Sequence, residues 1–138
     1  MSSKHVAIES SPKHQALTQL LICTGSNCGG PQIERVPKQA LLAAWKADYL
    51  WKACHLSFSQ CLGPCHLKGN TLVLHGGGAT WLAELEGEDY LLLADWAAAC
   101  KRERRVLNLP PQLATHILER FAEPEMLNFE RQTSSKTL

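Results

Sequence analysis

The chain has 138 residues, 14 basic and 13 acidic side chains, a net charge of +1 and 45% hydrophobic residues. Near-neutrality gives no electrostatic basis for nucleic-acid binding, and no apolar run approaches the roughly 20 residues that span a bilayer, so no membrane insertion is expected. The length suits one domain with its own core, so the six cysteines are not needed as disulfide staples and point to metal or redox chemistry in a reducing compartment. The stretch Met1–Glu9 lacks the apolar centre of a secretory signal, and a cytoplasmic location is expected.

Residues 1–16, with Ser10-Ser11-Pro12-Lys13-His14, form a polar leader that belongs to no packed element. Leu17 to Cys23 is a short apolar run that reads as a largely buried strand ending on a cysteine. Thr24 to Val36 is rich in turn formers (Gly25, Asn27, Gly29, Gly30, Pro31) and is a loop carrying Cys28. After Pro37, the spacing of Leu42, Trp45, Tyr49 and Ala53 predicts an amphipathic helix over 38–54. Leu56 to Cys61 alternates apolar and polar residues, a half-buried strand delivering a second cysteine, and the loop Leu62-Gly63-Pro64-Cys65 follows at once.

Thr71–His75 and Ala79–Leu85 flank Gly76-Gly77-Gly78 and predict a β-hairpin. A second helix runs from about Asp89 to Arg104, with Leu92, Leu93, Trp96 and Cys100 on one face and Lys101, Arg102, Arg104 and Arg105 at its C-terminal end. Beyond Leu109-Pro110-Pro111, a third helical pattern carries Leu113, Ile117 and Phe121 before a polar tail. The expected organisation is a leader (1–16), a domain (17–105) and a C-terminal helix with tail (106–138). The order β-α-β, then β-β-α, predicts an α/β fold with a small mixed sheet of about four strands flanked by helices.

The cysteine spacing carries the chemistry. Cys23 and Cys28 form a C-x4-C pair and Cys61 and Cys65 a C-x3-C pair, separated by 32 residues. Four thiolates are the soft donor set that completes tetrahedral coordination of both irons in a [2Fe–2S] cluster. Glycines in such loops let the backbone turn closely and aim N–H groups at sulfur. A four-cysteine zinc module is the alternative, although zinc favours C-x2-C knuckles and neither pair has that spacing. A thiol oxidoreductase would need a C-x-x-C at a helix N-terminus, and the chain has none.

The run Leu21-Ile22-Cys23-Thr24-Gly25-Ser26-Asn27-Cys28, with Cys61-Leu62-Gly63-Pro64-Cys65, resembles the thioredoxin-like [2Fe–2S] ferredoxin family over residues 17 to 105. The spacing is also similar to that of the small cluster subunit of respiratory complex I and related hydrogenases. The resemblance implies a thioredoxin-like fold and a one-electron carrier with no bound substrate. It would bind a [2Fe–2S] cluster through Cys23, Cys28, Cys61 and Cys65 and meet a redox partner protein. Such a chain is not an enzyme by itself, and homodimers are common among proteins resembling it. A cluster protein serving cofactor biosynthesis or assembly is a further alternative.

Cys54 and Cys100 are expected to pack as small core hydrophobes, and Trp45, Trp51, Trp81 and Trp96 as core aromatics. His66 in the second loop is expected to be solvated. The basic run Lys101–Arg105 is expected to be a solvated helix end.

Overall fold

Alternate side chains of Thr18–Cys23 (β1) are buried, as the apolar run predicts, and this strand lies at the centre of a four-stranded sheet. The computed structural model describes residues 17–25, 35–64 and 67–120. Cys28, Cys65 and His66, the leader and residues from Phe121 onward lie outside them. In chain order, β1 is followed by α1 (Lys38–Asp48), β2 (Cys54–Ser59), β3 (Thr71–His75), β4 (Gly78–Leu82) and α2 (Gly87–Glu103). A 3-10 turn at Leu50–Lys52 precedes β2, and a 3-10 helix at Pro111–His116 follows α2.

The sheet order is β2-β1-β3-β4, with β1 and β2 parallel and the β1–β3 and β3–β4 pairs antiparallel. A β-α-β crossover followed by an antiparallel hairpin and a helix is the thioredoxin-like arrangement anticipated from the element order. One sheet face, carrying Leu20, Ile22, Leu56, Val73 and Leu82, forms a single core with Leu41 and Trp45 of α1 and Tyr90, Leu93 and Ala97 of α2. On the opposite face Leu21 and Leu72 are half-buried and Leu74 is exposed.

The first helix is shorter than its periodicity predicts. It stops at Tyr49, whose φ of 50° is left-handed, and Leu50 then turns into the core. Cys54 therefore opens β2 instead of closing the helix. The buried stripe is Leu41 and Trp45, while Leu42 and Tyr49 are 39% and 69% exposed. The change of course is fixed by hydrogen bonds: the Trp45 indole N–H donates to the Cys54 carbonyl (2.8 Å), and the Leu17 and Thr18 amides both donate to Ala53 O (2.8 and 3.0 Å).

Trp45→Phe should therefore lower stability by about 2–3 kcal/mol, because it leaves the buried Cys54 carbonyl without that donor and opens a small cavity. Urea unfolding would show a lower midpoint at unchanged slope.

The hairpin turns on Gly76-Gly77 alone. Gly78 pairs with His75 inside the sheet at φ 131°, which no other residue adopts readily. The second strand ends at Leu82 rather than Leu85, since Glu84 takes φ 60°. In α2 the Glu86 amide donates to the Asp89 carboxylate (2.8 Å), and Lys101 and Arg102 occupy the last turn.

The C-terminal helix is a single 3-10 segment carrying buried Leu113. Ile117, expected on its apolar stripe, is instead extended and bridged to Leu82. The amides of Ala83 and Leu118 donate to His116 O and Trp81 O (both 2.8 Å), and these edge bonds override the helical spacing.

Candidate metal centre

Parallel strands end on the same side of a sheet, so the β1–β2 pairing brings the segments after Cys23 and Ser59 to one edge. Cys23 is the last residue of β1 and is buried at 1% exposure. Cys61 lies two residues beyond β2 and is exposed. The Thr24 amide and hydroxyl both donate to Ser59 O at 2.9 Å, locking the two chains together where they leave the sheet.

Gly25 then lies directly against the backbone of Cys61. A Cβ there would collide with the Cys61 nitrogen, 2.9 Å from the Gln60 carbonyl carbon and 3.0 Å from the Cys61 Cα. The two cysteine-bearing loops touch through backbone, and only glycine allows it.

The second loop is pinned from below by Asn70, the residue before β3, which is 1% exposed. Its amide nitrogen donates to Leu67 O (2.7 Å) and Pro64 O (3.1 Å), and its side-chain oxygen accepts the Trp81 indole N–H at 2.8 Å. Its backbone carbonyl accepts the Cys23 amide (3.0 Å), so one side chain and its own backbone serve both loops. The Leu67 amide also donates to Pro64 O (3.0 Å), and Gly69, at φ 77°, packs on Leu85. The first loop returns through Arg35, whose guanidinium donates to Leu85 O (3.2 Å) and pairs with Glu86 (2.8 Å).

Asn70 is not singled out by any motif, and Trp81 reads as an ordinary core aromatic. The available signals are an asparagine just before a strand, seven residues after the C-L-G stretch, and a tryptophan next to the end of a glycine-started strand.

Cys23 and Cys61 are thus carried to a common edge, while Cys28 and Cys65 fall outside the described residues. Among the described residues no three or more His, Cys, Asp or Glu converge as a metal site. The donor chemistry is that of soft thiols beside closely approaching backbone, which suits thiophilic metal.

Cys54 and Cys100 are fully buried elsewhere. Cys54 pairs with Thr18, at the far end of β1 from Cys23. Burial pushes the Cys54 thiol well above its ordinary value of 9.0, reinforced by nearby Cys100. The Cys100 thiol is likewise raised by burial, partly offset by the Leu107 amide donating to its sulfur at 3.4 Å. Both stay protonated in the fold.

Because the folded values lie above the unfolded ones, their contribution to stability is complete below about pH 9 and is lost as pH rises further. The slope approaches about 1.4 kcal/mol per pH unit for Cys54, whose shift is the large one. Denaturant midpoints compared at pH 8 and pH 10 should fall, and the fall should be smaller in Cys54→Ala and Cys100→Ala.

No protein-family model matches the chain, and a search of curated proteins finds no match. Among solved structures, it is similar to the wild-type thioredoxin-like [2Fe-2S] ferredoxin from Aquifex aeolicus, with 16% identity and a TM-score of 0.41 over 67% of this chain and 98% of that one. A second structure of a thioredoxin-like [2Fe-2S] ferredoxin from Aquifex aeolicus aligns at 15% identity and a TM-score of 0.47, covering 80% of this chain and 98% of the other.

Proposed function

We propose that this chain is a one-electron carrier, with Cys23, Cys28, Cys61 and Cys65 holding a [2Fe–2S] cluster. The observation that supports this best is the backbone contact of Gly25 with Cys61 beside the tip of β1, which sets two cysteine-bearing loops against one another. The cluster would supply reversible one-electron chemistry between its two irons.

The protein's own part is to hold the thiols and control their surroundings. Cys23 is excluded from water, while Cys61 faces it, so the site has one dry side and one side open to a partner. Backbone amides and buried dipoles such as Asn70 and the Trp81 indole fix the loops without adding a formal charge at the thiolates. No acid, base or substrate-binding residue is required, so the chain acts as a carrier for a redox partner protein and not as an enzyme. We place it in the cytoplasm, with residues 17–105 as the carrier domain following the 1–16 leader, residues 106–138 appended, and a homodimer as the assembly. No helix among the described residues is long and apolar enough to cross a membrane.

Anaerobic purification tests the reading. Protein carrying iron and sulfide in equal amounts, with visible absorption that dithionite bleaches, supports it. Colourless protein containing zinc in place of iron and sulfide overturns it and favours the zinc module, which the same thiols would also satisfy.

A further inference from the structure

Arg120, beyond the segment in which the cysteine pattern lies, reaches back onto the Cys61 loop. Its guanidinium donates to Leu62 O at 2.7 Å and stacks over the Trp81 ring, 4.6 Å from the centroid. It also fills the space beside Gly63, where a Cβ would sit 2.9 Å from Cζ. Gly63 has φ 127°, so the loop backbone is shaped to admit the arginine.

The extended step at 116–118 delivers it: Leu118 is bonded to Trp81 O two residues earlier, and Ile117 is bridged to Leu82. Trp81 in turn donates to Asn70, which holds Pro64 and Leu67. Arginine, tryptophan and asparagine therefore form one continuous brace under the loop that follows Cys61. A planar guanidinium can stack and donate at the same time, and an ammonium cannot match both.

We infer that Arg120 is a positioning residue for the Cys61 loop and that its fixed positive charge biases the site toward the reduced state. The electrostatic half rests on the electron-carrier reading; the brace does not. Reduction adds one negative charge, which a nearby cation favours.

Two variants separate the effects. Arg120→Lys keeps the charge but loses the planar fork, and Arg120→Gln loses the charge. In metal-free protein, amide exchange at Leu67 is expected to rise about tenfold in both, since neither can stack and donate together. In cluster-loaded protein, a dithionite-poised titration is expected to show Arg120→Gln about threefold harder to reduce, equivalent to about 28 mV at 59 mV per tenfold, with Arg120→Lys near wild type. Added salt should shrink that difference.

Wild-type exchange in both variants overturns the brace. An unchanged potential in Arg120→Gln overturns the electrostatic role. Wild-type protein that takes up no cluster removes the carrier reading and the electrostatic role with it, while the exchange measurement still decides the brace.

Discussion

Serine at Cys23 or Cys61 is expected to cut cluster occupancy more than tenfold, to judge by the 10–100-fold losses that follow even from removing a ligand's supporting hydrogen bond. On the proposed ligand set, serine at Cys28 or Cys65 should do the same, since a [2Fe–2S] cluster takes four thiolates to complete its two irons. The contrast that makes this informative is with the other two cysteines. Cys54 lies opposite Thr18, five residues along β1 from Cys23, which at about 3.3 Å per residue is some 16 Å away. Cys100 is fully buried on α2, its sulfur accepting the Leu107 amide. Cys54→Ala and Cys100→Ala should therefore keep full iron and sulfide content and the bleachable absorption. Their cost appears in stability, at about 1 kcal/mol each from lost packing. Iron loss at Cys54 equal to that at Cys61 would show that the ligand assignment is wrong.

Much of the fold is legible in the sequence because its signals are local. The apolar run before Cys23 and the glycine-marked hairpin are strand patterns whose register is set by their own turns and burial. The misread features have non-local causes. The end of α1 is decided by Trp45 bonding to Cys54 and by Ala53 accepting from Leu17 and Thr18, partners that spacing within the helix cannot reveal. The apolar stripe of Leu113 and Ile117 is broken because β4 offers its edge to Ile117, and edge pairing outweighs a weak helical period.

At the candidate site, the spacing of the cysteines marks the proposed ligands, whereas the scaffold around them carries no pattern. Asn70 contributes through three side-chain bonds to residues that no pattern associates with it. Gly25 is recognisable as a turn former, yet its contact with Cys61 needs the parallel pairing of two strands 30 residues apart.

That contact leads to the second large effect. Gly25→Ala places a methyl group into the Cys61 backbone, which cannot yield as a flexible side chain would, because Thr24 is bonded twice to Ser59 just before it. The loops must part, at a cost of about 1–3 kcal/mol in overpacking, and the spacing between Cys23 and Cys61 changes with them. Cluster occupancy is expected to fall about tenfold or more, since a donor set displaced by an ångström is a poor ligand set.

Asn70→Leu attacks the same assembly by a different route. With the same branched pattern of heavy atoms but no polar groups, it leaves the Pro64 and Leu67 carbonyls and the Trp81 N–H without their Asn70 partner, at a cost of about 2–4 kcal/mol. The two variants are distinguished by their metal-free forms. Gly25→Ala should unfold at a midpoint lowered only by its overpacking cost, yet lose iron out of proportion to that loss of stability. Asn70→Leu should unfold earlier with or without metal. If Gly25→Ala instead loads iron and sulfide like wild type, the close approach of the two loops is incidental and the site must be assembled elsewhere.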